Sequence, residues 1–148
     1  MNREPIYAAL FALAQTAASF KTTGRKLKAA TDIPKESQPA LFQIQHNETA
    51  QKLDGAPNRW LLSVSLVIYV NTGGDSEVAP TTQLNPIIGE ITTLFSPNPA
   101  TGRQTLGGLV RHAEIVGTIE IDEALMNGQA VAIVPLEILT ERDWEVAP

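Results

Sequence analysis

Residues Trp60 to Val70, WLLSVSLVIYV, carry a large apolar side chain at every even position: Trp60, Leu62, Val64, Leu66, Ile68 and Val70. The odd positions are mixed, with Ser63 and Ser65 beside Leu61, Val67 and Tyr69. A period of two predicts a strand with one fully buried face. The run is about twice the usual strand of about 5–6 residues. That excess predicts that its distal end, near Tyr69 and Asn71, leaves the domain body to meet a neighbouring subunit.

Two segments have helical spacing instead. Pro5 suits a first turn, and Ile6, Leu10, Leu13 and Ala17 form a stripe that predicts a helix ending near Ser19. Leu84, Ile87, Ile88, Ile91, Leu94 and Phe95 predict a second helix over Thr82 to Phe95. Asn85-Pro86 would supply its cap and first-turn proline, and Gly89 would mark close packing on a sheet.

Shorter alternating stretches predict further strands. Lys21 to Ala30 reads as a basic strand bent near Gly24, and Ala40 to His46 as a second. His112 to Asp122 and Ala130 to Leu139 read as a final pair, with Pro135 at an edge or a bulge because it has no N–H for a ladder. Between these lie an expected loop over Asn47 to Asn58 and a tight turn at Gly107-Gly108. Thr72 to Pro80 is expected to be mobile or to order on assembly, and Thr140 to Pro148 to form a loosely held acidic tail. The order of helix, two strands, long strand, helix and two strands is not the alternation of a parallel α/β protein. It predicts one α+β domain over residues 1–148, a mainly antiparallel sheet with two principal helices packed on one face.

Composition narrows the picture modestly. With 148 residues, 43% apolar and 18% charged, the chain has room for one real core. No apolar run approaches the ~20 residues of a membrane helix. Near the N-terminus Arg3 pairs with Glu4, and Gln15 and Thr16 interrupt the apolar stretch, so an amphipathic helix is the better reading than a signal peptide. Cysteine is absent, which removes disulfides and thiol chemistry. The expected site of synthesis and use is the cytoplasm, with no membrane partner.

The net charge of −5 conceals an asymmetry. Residues 1–35 hold six basic and two acidic residues, a net of +4, whereas residues 112–148 hold eight acids and Arg142, a net of −7. Separate basic and acidic surfaces favour head-to-tail contact between copies, although both can equally be solvated faces. The basic group is Arg25, Lys26 and Lys28; Asp122 and Glu123 are the matching acids; Asp75, Ser76 and Glu77 sit on the glycine-rich loop.

Motifs for chemistry are weak. His112 and Glu114 could share a face, but two ligands do not make a metal site. No serine lies in a G-x-S-x-G elbow. Gly102 to Gly108, GRQTLGG, lacks the G-K-[ST] ending of a phosphate loop. Glu120, Asp122 and Glu123 make paired-carboxylate chemistry conceivable, but such a group at a strand end is more often a solvated loop. Aromatic residues for stacking bases are missing around the basic strand apart from Phe20. No cofactor, metal or catalytic residue is expected.

The ordered set of segments is more informative than any one motif. The helix YAALFALAQTAASF leads to the basic FKTTGRKLKA, then QPALFQIQ, WLLSVSLVIYV, a glycine-rich loop, the helix TQLNPIIGEITTLF and QTLGGLVRHAEIVGTIEID. Together, from about Tyr7 to Leu139, these resemble the tail terminator, or tail-completion, proteins of long-tailed bacteriophages and prophages. The resemblance implies an α+β fold that assembles as a hexameric ring. It implies a structural rather than enzymatic role: capping the tail tube, stopping its polymerisation and presenting the head-joining surface within the virion tail. The implied partners are further copies of the chain, the tail tube protein and a head–tail connector protein, with DNA only passing through the lumen. On that view Arg25, Lys26, Lys28, Asp122 and Glu123 would face neighbours or the lumen, Tyr69 would meet a neighbouring subunit, and Asp75, Ser76 and Glu77 would order against the tube. The rival readings are a head–tail connector or neck protein and, from another class, a small-molecule-binding domain or an enzyme with a subunit-interface site.

Overall fold

The computed structural model describes residues 1–73, 77–125 and 128–143. Its α+β fold has two helices, α1 (Arg3–Ala14) and α2 (Thr81–Leu94), and six strands. The strands are β1 (Thr22–Gly24), β2 (Ala40–Leu53), β3 (Ala56–Asn71), β4 (His112–Ile115), β5 (Glu120–Leu125) and β6 (Gln129–Leu139). The sheet order is β1-β2-β3-β6-β4, with β5 beside β4 on the same edge of β6. Only the β1–β2 pair is parallel; every other pair is antiparallel.

The long strand sits at the centre, as its alternation predicts. Leu62, Val64, Leu66, Ile68 and Val70 are buried on one face, beside Ala130, Ala132, Val134, Leu136 and Ile138 from β6. Both helices close this face, α1 through Ile6, Tyr7, Leu10 and Ala14, and α2 through Leu84, Ile87 and Ile91. The hydrophobic term is concentrated here, since a fully buried Leu or Ile contributes about 1.5–3 kcal/mol.

Several boundaries differ from the sequence expectation. The basic segment is a strand only over Thr22–Gly24, and Arg25 to Pro39 then crosses the other face of the sheet through one-turn helices at Ala30–Asp32 and Lys35–Ser37. A parallel pair needs such a crossover, and the solvated lysines have no ladder partner beyond Gly24. Helix α2 begins at Thr81, four residues before Asn85, so Pro86 lies inside it; the ring there costs the bond to the Thr82 carbonyl. Gly89 is exposed, with nothing within 4 Å of where a Cβ would sit, so it marks no close packing.

The segment expected as one strand over His112 to Asp122 is broken into β4 and β5, and Gly117 in the break has φ +101°. β4 pairs with Leu136–Leu139 and β5 with Gln129–Ile133. Pro135 lies opposite the break, where its carbonyl accepts from Val116 N at 3.2 Å. Its missing N–H would point to the same side, so the proline sits where the ladder is already interrupted. The Gly107-Gly108 turn forms as expected, with φ of +74° and +91°. The start of the C-terminal tail is not loose. Thr140 is buried and exchanges bonds with Trp60, and Asp143 lies 3.3 Å from the N-terminal ammonium.

The largest correction concerns Asn47 to Asn58. It is no loop: β2 and β3 continue as a two-stranded ribbon to a turn at Asp54-Gly55, where Gly55 adopts φ +77°. A register shift between Gln45 and Glu48 inserts an extra residue in β2 and changes which parity faces the helices. Gln43 lies on the helix side before the shift, and Glu48 after it. The end of β3 that leaves the body is therefore Ala56 to Arg59, opposite to the expected end. Tyr69 is only 7% exposed, and its hydroxyl donates to the Lys28 carbonyl at 3.1 Å.

Candidate interaction surface

The root of the ribbon is braced by α1. Arg3 Nε donates to Glu48 Oε1, and the Tyr7 hydroxyl donates to Glu48 Oε2 at 2.7 Å. The Arg3 guanidinium also lies 5.0 Å from the Trp60 ring centroid, a cation–π arrangement that joins helix, β2 and β3. Partial burial pushes the Glu48 carboxyl upward, but the bonds from Tyr7 and Arg3 and the Arg3 charge outweigh it and leave the pKa below the ordinary value. Burial, then the bond and charge of Glu48, hold the Tyr7 phenol well above its ordinary range. Arg25 is drawn into the same region. It pairs with Glu4, donates to Gln45 Oε1 at 2.9 Å and lies 6.0 Å from the Tyr7 ring.

Beyond this root, the ribbon from Thr49 to Gly55 is exposed, and β6 no longer reaches it. Its tip reads Lys52-Leu53-Asp54, and Leu53 is 54% exposed, the highest value among the large apolar side chains described.

The second feature is on the sheet face away from the helices. Phe42, Val67 and Tyr69 are covered there by Ile33 from the crossover, with the Phe42 and Tyr69 rings edge to face at 6.0 Å. Beside this small cluster the face is open. A groove of about 360 Å³ has Ile44, Val67, Val131 and Ile133 as its floor and Leu27 and Ala30 as one wall. His46 and Ser65 close one end, with Nε2 and Oγ 2.7 Å apart. Towards β5 the groove floor continues under Glu120 and Asp122, which the register places on the same face as Ile133 and Val131.

The residues singled out by charge therefore separate. Arg25 belongs to the ribbon root, while Lys26 and Lys28 are exposed and are the chain neighbours of Leu27, which lines the groove. Asp122 lies on the opposite side of the groove. Glu123 instead accepts from Thr81 Oγ1 at 2.9 Å, on the first turn of α2, where a carboxylate is favoured by the helix dipole. Asp122 and Glu123 are thus not one surface. Glu77 is exposed; Asp75 and Ser76 lie outside the described residues.

His112 and Glu114 do meet, at 2.8 Å, and Glu137 lies opposite Glu114 in the ladder. Among the described residues, no group of three or more His, Cys, Asp or Glu side chains could hold a metal ion. His46 and Ser65 resemble a nucleophile–base pair in distance alone, for among the described residues no carboxylate orients the other ring nitrogen. Among the described residues, no helix is long and apolar enough to cross a membrane.

The groove and the Glu48 network were not found by sequence reasoning. One signal for the groove was present. β6 is apolar at odd as well as even positions, Val131 and Ile133 beside Ala132 and Val134, which is the pattern of a strand partly covered on both faces. Nothing in the sequence joins Tyr7 to Glu48, 41 positions apart. No protein-family model and no curated protein matches the chain.

Proposed function

We propose that this chain is a structural assembly subunit, the terminator of a bacteriophage tail, which joins with further copies into a ring at the end of the tail tube. The ring stops tube polymerisation and offers the surface to which the filled head attaches. The observation that carries this reading is the braced ribbon. A body of this size gains no core from strand that is exposed beyond Thr49, so its use lies in contact with another chain. The separated basic and acidic residues and the half-open sheet face support the same reading, because head-to-tail contacts between copies can close into a ring. The segment order described above supplies the tail assignment, and the role is structural, with no cofactor.

Location tests the reading. Purified protein mixed with tail tubes and with DNA-filled heads, then viewed by negative-stain electron microscopy, is expected at tube ends. Binding to the portal side of filled heads and not to tubes would instead make it a neck protein. One observation favours a reading from another class: the apolar groove, ended by His46 and Ser65, has the size of a small-ligand site. A ligand retained through purification and seen by native mass spectrometry would support that alternative.

A further inference from the structure

The ribbon tip and the groove fit each other. The tip presents a cation, an apolar side chain and an anion in sequence, Lys52, Leu53 and Asp54. The groove presents Leu27 and Ala30 along one wall and an apolar floor, and that floor continues towards β5 to Glu120 and Asp122 on the other side. We infer that the ribbon tip of one copy seats in the groove of the next, with Leu53 over Val67, Val131 and Ile133 and Lys52 towards Glu120. The inference rests on the ring-forming reading and names the contact that would build the ring.

The contact must be between copies. Leu53 and Ile44 are nine positions apart on one extended strand, about 30 Å at the usual rise. The braces from Arg3, Tyr7 and Trp60 hold the ribbon along the direction of the sheet, so it cannot fold back into its own groove. Each copy offers one tip and one groove. Such a heterologous contact generates a ring when the rotation closes and a filament when it does not.

Size and charge set the strength. The groove is larger than a single leucine side chain, and one buried leucine is worth roughly 10- to 100-fold in an association constant. A single contact is therefore weak, and copies are expected to associate at high concentration or when held together on a tube. The charges set the direction of insertion. Reversing the tip would put Asp54 beside Glu120, which disfavours it.

The chain has no cysteine, so introduced ones report the contact directly. K52C protein mixed with E120C protein under mild oxidation is expected to give a disulfide-linked dimer, and the double variant K52C/E120C a ladder of multimers. Each single variant alone should give at least ten-fold less. Adding L53D to the K52C chain should lower the mixed yield about ten-fold or more, and the double variant K52E/E120K should associate better than K52E or E120K alone in sedimentation velocity. The contact is overturned if the mixture cross-links no better than its components, if L53D leaves the yield unchanged, or if the charge exchange gives no rescue. Rings on tails that persist with L53D would overturn this contact and leave the terminator reading standing. A multimer ladder from protein that never binds tubes would do the reverse.

Discussion

The two faces of the central sheet are made from the same strands and meet different fates. On the helix side, Leu62, Leu66 and Ile138 are fully buried under α1 and α2. On the other side, Val67 and Tyr69 are covered by a short crossover, and Val131 and Ile133 remain half-buried over a groove. The first face specifies the fold, and the second has apolar surface left for a partner. Stability and the proposed assembly contact thus fall on opposite parities of the same strands, and they can be perturbed separately.

Ile138 and Ile133 test that separation most sharply, being one residue type on one strand, on opposite faces. Ile138→Ala is expected to cost about 2–5 kcal/mol in urea unfolding, the range for a packed core site. Ile133→Ala should cost less, about 1–2 kcal/mol, because the groove leaves its side chain partly solvated. Equal losses would mean that the groove face is as closed as the helix face, and the contrast would fail.

The ribbon root comes next. Tyr7→Phe should cost about 1–2 kcal/mol, since it removes a hydrogen bond to a carboxylate. The pH dependence follows from the directions of the two shifts. Glu48 is held below its ordinary value of 4.5, so its contribution is complete above that pH and is lost as acid takes it through the lower folded value. Tyr7 is held above its ordinary 10.0, so its contribution is complete below that pH and is lost as alkali rises towards the folded value. Glu48→Gln should flatten the acid limb in thermal melts across pH. An unchanged acid limb would place the ribbon's support elsewhere.

Smaller effects are expected at the edges of the comparison. Thr140→Val deletes the hydroxyl that accepts from Trp60 N and should cost about 1 kcal/mol, visible as a lower denaturation midpoint. Gly89→Ala, on the exposed side of α2 with open space around it, should stabilise by up to about 1 kcal/mol. Loss of stability there would mean that this helix face is already in contact with something.

Elements with one buried face were legible in the sequence, and those exposed on both sides were not. The parity of β3 and the stripe of α2 follow from the difference between core and solvent, and the structure reproduces both. Beyond Glu48 the β2 arm is exposed at odd and even positions alike, so its polar side chains carry no alternation, and the extra residue near His46 shifts the parity at the same point. The sequence there reads as a loop for a physical reason. The break between β4 and β5 was hidden because Gly117 and Pro135, 18 positions apart, act together. The groove joins β2, β3, β6 and the crossover, so no local pattern could assemble it. Among the charges, signs alone could not distinguish Arg25, bound at the ribbon root, from the exposed Lys26 and Lys28.

The central claim, that this surface serves tail assembly, is tested most directly by tail length. On the proposed terminator reading, phage lysates with this gene deleted should show by electron microscopy tails of irregular, excessive length without heads, restored to uniform length by the wild-type chain supplied in trans. Tails of normal length beside unattached, DNA-filled heads would contradict the account.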